Sequence, residues 1–491
     1  MSLPRLSWLI VVAVLLLLGG CATRPINPPI TQIDPNGGYG LQTRQQHFKN
    51  LDKGDLVILA FSGGGTRAAA FSYGVLEFLR TNEIVASNGA RIRLLDTVNI
   101  ITGVSGGSFT ALAFGLYGDK LFDLYETAFL KRNVQGEIVA RAFNPGNWGY
   151  LSSTGWGRSE LAAELYDEIL FKGATFGDLD RGDGPLILAS ATDISNGGRV
   201  IFRQGIFNIF CSDLNAVPLS RAAAASSAVP VLLSNVTINN YGGTCNYGLP
   251  SWIAPFADSA NPPRPAARAL RELSDGAAYS DSVHHPYIHL VDGGVSDNVG
   301  MRGVIDALNS LEALHDAGLP SPLDHVRRIV IFVVNSLSAR PTNWDESENG
   351  PGTMEVLLKA TGVPIDHYSY ETVELLKDIG ARWEKDRRVR DLAGCSANRD
   401  SKLCAAVRPP EAEVYVIDVS FAALADKTER DYLNQQPTSF VLPAEAVDRL
   451  RAAAGTIIQA SPEIQRLLKD TGAKIVPIPA SAAPATSPAA Q

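Results

Sequence analysis

The chain has 491 residues, 45% of them hydrophobic and 19% charged, an ordinary globular composition with material for roughly three domains. That excludes a mostly disordered chain. Lys and Arg total 43 against 51 Asp and Glu, a net charge of -8 without a basic run, which speaks against nucleic acid as a partner; no apolar run reaches the roughly eighteen residues of a membrane-spanning helix.

Residues 1–20 read as an export signal. Arg5 supplies a positive start, Trp8 to Leu18 is an unbroken apolar run, and Leu18-Gly19-Gly20-Cys21 ends it. The quartet resembles the bacterial lipobox, in which the Cys becomes the lipidated first residue. Acyl chains on Cys21 would tether the protein to a membrane surface without threading it through. Ala22, a non-Asp residue after that Cys, points to the outer membrane of a two-membrane cell envelope, with the body facing the periplasm. Residues 21–50, rich in Pro, Gly, Asn and Gln, read as a lipidated Cys and a flexible spacer.

One α/β domain is expected over residues 51–476, with a motif-bearing core at 55–335. Leu56–Phe61 is a continuous apolar run, the pattern of a buried parallel strand. Ser62-Gly63-Gly64-Gly65 breaks it, and a helix follows over Thr66–Arg80. Leu94–Thr102 reads as a second strand, Gly103–Gly107 as a sharp turn, and Ser108–Tyr117 as a helix of small residues. Further strands are expected at Leu186–Thr192, His289–Val291, Arg328–Val334 and Val414–Val419. Helical patterns fall between several of them, at Leu161–Phe171, Leu219–Ser227 and Val299–Ala317. Strands alternating with helices predict a three-layer sandwich with a mainly parallel central sheet. Residues 239–287 form a long irregular insert carrying Trp252 and Phe256. Residues 336–476 form a C-terminal extension, helical and charged over 341–411. Residues 477–491, rich in Pro, Ala and Ser, read as a disordered tail. No internal repeat is found. In an exported chain an even number of remaining cysteines favours bridges: Cys395 with Cys404 across a short loop, then Cys211 with Cys245.

Three motifs carry chemistry. Ser62-Gly63-Gly64-Gly65-Thr66-Arg67 joins a strand to a helix, so its backbone N–H groups and the positive helix end can hold an oxyanion. Gly63, Gly65 and Ala68 also satisfy G-x-G-x-x-A, a dinucleotide fingerprint. That rival needs an acidic residue at the end of the second strand, where Ile101-Thr102-Gly103 stands instead. Gly103-Val104-Ser105-Gly106-Gly107 is G-x-S-x-G in a strand–turn–helix context, the setting of a nucleophile elbow. Asp292-Gly293-Gly294 follows an apolar run and puts a carboxylate at the same sheet edge. On its own it would be an ordinary Asp-Gly turn.

In this order the three motifs resemble the patatin-like phospholipase family. Ala191-Thr192-Asp193 with Ser195-Asn196-Gly197, and Ala225-Ser226-Ser227-Ala228-Val229-Pro230, are similar to two further blocks of that family. The likeness spans about residues 55–335. Ala68 replaces the family's usual Gly after the Arg, and Asn298-Val299-Gly300 lacks its common Pro. The resemblance implies a Ser–Asp dyad. Ser105 is the nucleophile, Asp292 the base, and the loop Gly63, Gly64, Gly65 with Gly106 the oxyanion hole. Arg67 adds positive charge or fixes the loop. No cofactor and no metal are implied, and the partners are a phospholipid or lysophospholipid substrate and the membrane surface.

The histidines test the dyad. A triad would run Ser, Asp, His in chain order, and His315, His325 and His367 follow Asp292. Each lies in a polar segment and reads as a surface residue. His285 and His289 have i, i+4 spacing, but Pro286 argues against a metal-binding helix there. Trp148 and Trp156, like Trp252 and Phe256, fit core packing or contact with lipid equally. An acyltransferase using the same acyl-enzyme, or a non-catalytic envelope scaffold, stands as the alternative to hydrolysis. Neither substrate head group nor oligomeric state is legible.

Overall fold

Six consecutive apolar residues leave no strand face for water, so Leu56–Phe61 has to be covered on both sides. In the computed structural model they lie in β1 (Asp55–Phe61), in the interior of the main sheet. The structure describes residues 24–48, 54–151, 153, 156–230, 232–248, 267, 270, 274, 276–321, 324–338, 342, 344–346, 348, 350–395, 404 and 409–479. The export signal, Cys21, Trp252, Phe256 and the tail beyond residue 479 lie outside the described residues.

Ten more strands follow: β2 (Asn82–Val85), β3 (Arg91–Arg93), β4 (Ile100–Val104), β5 (Leu186–Asp193), β6 (Arg199–Ile201), β7 (Val236–Asn239), β8 (Tyr287–Asp292), β9 (Arg328–Asn335), β10 (Glu413–Ser420) and β11 (Lys474–Pro477). The helices include α1 (Gly65–Thr81), α2 (Gly106–Tyr117), α3 (Val134–Phe143), α4 (Arg158–Tyr166), α5 (Leu219–Ser226), α6 (Arg302–Asp316), α7 (Thr353–Leu392) and α8 (Ala444–Ala460).

The main sheet has the order β10-β9-β1-β4-β5-β8-β7, with β6 beside β5. The five strands from β10 to β5 are parallel, so their carboxyl ends share one edge. Side chains alternate across the sheet. Val57, Leu59 and Phe61 enter one core with α1, α2, α5 and α8. Leu56, Ile58 and Ala60 enter the other with α6 and α7. This is the three-layer α/β sandwich that the strand–helix alternation predicts.

β8 breaks the parallel rule in a way that matters for the site. It runs against β5 with Asp292 opposite Ala191, while Ser190 pairs with Val104 of β4. The last residue of β8 therefore lands level with the residue after β4. The first residues of β8, and the end of β7 beside them, overhang the carboxyl edge.

Several boundaries differ from the sequence reading. Leu94–Thr97 is a 3-10 turn and the strand begins only at Ile100. Local polar bonds explain this: Thr97 Oγ1 donates to Leu94 O (2.7 Å), and Asn99 Oδ1 accepts the Val57 N–H (2.7 Å). The helix expected over Leu161–Phe171 changes to a wider π-turn at Asp167–Phe171. The tail begins later than residue 477, because β11 pairs with β2 and the Ile478 N–H donates to Thr81 O (2.9 Å).

The largest correction concerns the spacer expected at residues 21–50. From Arg24 to Phe48 the chain is docked on the body. Tyr39 is wholly buried and its hydroxyl accepts the Ile187 N–H (2.7 Å). Arg44, also buried, donates to the carbonyls of Leu179, Asp180, Gly182 and Gly184. Composition alone suggested flexibility; polar side chains that satisfy backbone groups of the body pin the segment instead. Cys211–Cys245 and Cys395–Cys404 are both bridged.

Candidate active site

β4 ends at Val104 and α2 begins at Gly106, so Ser105 turns the chain alone. It does so at φ 47°, ψ -122°, a conformation that costs a non-glycine residue about 1–3 kcal/mol. Neighbouring groups hold it there. The Ser105 N–H donates to Ser226 Oγ (2.9 Å), and the Ser105 carbonyl accepts from Ser108 N–H (3.0 Å) and Ser108 Oγ (2.6 Å). The motif's glycines are needed for close approach. A Cβ at Gly106 would lie 2.0 Å from Gly65 O, and one at Gly107 2.6 Å from the carbonyls of Phe61 and Ser62.

Asp292 is fixed from both sides. Its N–H donates to Ala228 O (2.9 Å), and its carbonyl accepts from Thr192 Oγ1 (3.0 Å). One carboxylate oxygen accepts the Gly294 N–H at 2.7 Å; the other accepts the Ser105 hydroxyl at 2.8 Å. Ser105 is 5% exposed and Asp292 7%. Burial pushes the Asp292 carboxyl up to about 6, against the lowering pull of the Gly294 N–H and the Ser105 hydroxyl. The structure thus brings a serine hydroxyl and a carboxyl of raised basicity into contact inside the protein.

The glycine loop stands across from Ser105. Gly64 and Gly65 have φ of 140° and 60°, conformations open to glycine, which let the chain enter α1 with its N–H groups exposed. Among the described residues no acceptor takes the N–H of Gly64, Gly65 or Gly106. These three donors sit where the N-terminal ends of α1 and α2 meet. Gly63 departs from the expected set, because its N–H already donates to Asn298 O (2.9 Å). It belongs to the loop's frame. Arg67 is buried and does not face Ser105. Its Nε donates to Ser336 O (2.7 Å), Nη1 to Gln436 O (2.7 Å) and Nη2 to Thr438 Oγ1 (3.1 Å). Of its two expected roles the geometry fits the second, fixing the loop.

None of the seven histidines hydrogen-bonds to Ser105 or Asp292. His289 meets Thr237 Oγ1 (2.9 Å), His315 pairs with Asp324 (3.1 Å), and His325 and His367 are exposed. His289 lies in β8 and His285 in the loop before it, so the two share no helix face. Among the described residues no group of three or more His, Cys, Asp or Glu is placed to hold a metal ion. An apolar cavity of about 290 Å³, lined by Val57, Phe78, Val330 and Ile475 among others, opens toward the amino ends of β1 and β9. It lies at the opposite sheet edge from Ser105 and takes no part in the site.

Sequence reasoning missed four contributors. Ser226 and Asn298 stood inside motifs whose individual members had no assigned task. Ser336 and Ser439 lie in the C-terminal extension. Ser336 Oγ donates to Gly63 O (3.0 Å), and Ser439 O accepts the Thr66 N–H (2.8 Å). No local pattern marks them, because their role exists only once distant segments meet.

Comparison with known proteins bears on this geometry. The family model for patatin-like phospholipase matches residues 59–305, half of the chain, including Ser105, Asp292 and the glycine loop. Among solved structures, human GIVD cytosolic phospholipase A2 in complex with methyl gamma-linolenyl fluorophosphonate is similar at 14% identity. The match covers 88% of this chain and 61% of that one, with a TM-score of 0.40. VipD from Legionella pneumophila is similar at 11% identity over 94% of this chain and 74% of that one, with a TM-score of 0.31. The chain thus spans about six-tenths of the length of the human enzyme. No curated protein sequence matches significantly.

Proposed function

This chain belongs to the patatin-like phospholipase family, and from that premise we propose that it is a serine acyl hydrolase acting on fatty-acyl esters of phospholipids or lysophospholipids. The observation that carries the reading is the 2.8 Å hydrogen bond from Ser105 Oγ to Asp292 in a buried site. Ser105 Oγ attacks the ester carbonyl while Asp292 Oδ2 takes the hydroxyl proton. The N–H groups of Gly64, Gly65 and Gly106 hold the resulting oxyanion. As the tetrahedral adduct collapses, the proton passes from Asp292 to the departing alcohol oxygen, leaving the acyl group on Ser105. Asp292 then deprotonates a water that attacks this ester; as the second adduct collapses, the proton passes from Asp292 to Ser105 Oγ, the fatty acid leaves, and both groups are restored. A carboxylate of ordinary pKa is a poor base for a hydroxyl; the raised value of about 6 supports the role.

The same reading includes the envelope location. Acyl chains on Cys21 tether the enzyme to the outer membrane, facing the periplasm, beside its lipid substrate. Two measurements test these parts separately. Release of fatty acid from mixed phospholipids and medium-chain p-nitrophenyl esters should vanish in Ser105→Ala, together with labelling by a fluorophosphonate probe; equal release by folded Ser105→Ala sinks the hydrolase. Cys21→Ser should move the protein off the membrane fraction, and unchanged retention counts against the anchor.

A further inference from the structure

The N-terminal segment meets the body beside the sheet edge that carries the dyad. From Asp292, level with the nucleophile, the five preceding residues of β8 rise about 17 Å along the strand, past the carboxyl edge of β5. β7 accompanies them, with Asn239 opposite Tyr287 at the tip. Residues 24–27 are laced along this tip. Arg24 donates to Thr237 O (3.0 Å) and to Asn239 Oδ1, and its guanidinium lies 5.5 Å from the centre of the Tyr287 ring. Asn27 accepts the Asn239 N–H (2.7 Å) and donates to Asn239 O (2.9 Å). Cys21 stands three residues before Arg24. Its Cα can therefore lie no more than about 11 Å from that of Arg24.

An arch forms the other side of the rim. The described stretch 134–151 leaves from the glycine loop, where the Gln135 N–H donates to Phe440 O (3.2 Å) and the Thr66 N–H holds the adjacent Ser439. Trp156 and Gly157, which lead into α4, lie on the Asp292 side, where the Ser159 N–H donates to Ser234 Oγ (3.0 Å). Along the arch Phe143 is 75% exposed, Trp148 58% and Tyr150 nearly half. Leu232 is also exposed; it lies between Ser234 and Ala228, whose carbonyl holds the Asp292 N–H. At the tip Ile26 is 63% exposed and Tyr287 more than half.

Single exposed apolar side chains need no explanation, but a set around one buried reaction centre marks an interaction surface. Trp and Tyr favour the headgroup level of a bilayer, with the ring in the apolar layer and the polar atom in water. We propose that this rim is a membrane-docking face. Ile26 and Tyr287 at the tip, and Leu232, Phe143, Trp148 and Tyr150 around the arch, enter the boundary between headgroups and acyl chains. The proposal rests on the hydrolase and Cys21-anchor reading above and adds its orientation. A bilayer is the occupant because the tether is short and ends here. Only two residues separate Cys21 from the docked Arg24, so acyl chains on Cys21 draw the β7–β8 tip to the lipid, and the dyad's edge of the sheet goes with it. The anchor supplies attachment, and the rim fixes which way the mouth points.

The test uses full-length lipidated protein on phosphatidylethanolamine–phosphatidylglycerol vesicles carrying doxyl-labelled lipids. Trp148 emission, taken as the difference between wild type and Trp148→Phe, should be quenched, and more strongly by a label near the headgroup than by one at mid-chain. A variant combining Phe143→Ser, Trp148→Ser, Tyr150→Ser and Leu232→Ser should hydrolyse a soluble short-chain p-nitrophenyl ester within about twofold of wild type. On vesicle phospholipid it should lose roughly tenfold or more. Unquenched Trp148 in vesicle-bound protein overturns the face, as does undiminished vesicle turnover by the variant. Efficient cross-linking between copies through Trp148→Cys would assign the rim to a second copy and also overturn it. Wild type inactive on every ester sinks the hydrolase reading alone, since quenching still decides the face. Intact mass reports acylation of Cys21 independently.

Discussion

Replacing Asp292 by Asn separates the chemistry of the site from its effect on stability. Burial pushes the carboxyl from its ordinary 3.8 up to about 6, a difference worth about 3 kcal/mol between the folded and unfolded chain. The folded protein holds this proton more tightly than the unfolded chain does. The group's contribution to stability is therefore fully present below about pH 4 and is lost as pH rises through about 6. An amide never ionises and escapes that loss, while its oxygen can still accept the Gly294 N–H. Asp292→Asn should thus be more stable than wild type by about 2–3 kcal/mol near pH 8, a Tm gain of a few degrees, with the gain gone near pH 4. The same variant should lose activity on p-nitrophenyl esters by about 10²–10⁴-fold, because the amide cannot take the Ser105 proton. Wild-type kcat/KM should fall on acidification with an apparent pKa of about 6. Paired melting curves and pH–rate profiles measure all of this. A variant that melts at or below wild type near pH 8 would refute the argument that burial raises the base. Retained activity would refute the dyad.

Three further outcomes follow from contacts in the structure. Gly106→Ala sets a Cβ 2.0 Å from Gly65 O and should force the oxyanion donors apart; a kcat loss of about 10²-fold or more is expected, and near-wild-type kcat would remove Gly106 from the donor set. Arg67→Ala leaves the buried carbonyls of Ser336 and Gln436 without their donor, so it should cost about 2–4 kcal/mol in chemical denaturation and lower kcat through a loosened loop. A denaturation midpoint unchanged from wild type would show that the C-terminal extension does not brace the loop. Breaking Cys211–Cys245 by a double Ser substitution opens a loop of sequence separation 34 and should cost about 3–4 kcal/mol; an unaltered Tm under oxidising conditions would contradict that bridge.

Much of the architecture was legible in the chain itself. Unbroken apolar runs at Leu56–Phe61 and Ile329–Val334 require a sheet covered on both faces, because no side chain is left for water. Gly103–Gly107 marks a sharp turn carrying Ser105, while Asp292–Gly294 reads alone as an ordinary turn and gains meaning only beside the other two motifs. Local bonding blurred the boundaries: Thr97 and Asn99 shortened a strand whose apolar pattern ran on. The docked segment 24–48 was misread, because composition reports backbone freedom but not the partners that remove it.

Residue types and local spacing determined the elements, the order of the motifs and the chemistry available to Ser105 and Asp292. They could do so because periodicity and turn preference are properties of neighbours in sequence. Tertiary structure alone decided the rest. It reversed β8 so that its last residue met Ser105, took the Gly63 N–H for Asn298, and brought Ser336, Gln436 and Ser439 to the glycine loop and Arg67 behind it. It also buried the Asp292 carboxyl, whose basicity depends on the solvent it has lost. Desolvation and contacts across hundreds of residues have no local signature, since they arise only when the sheet and its helices close around the site.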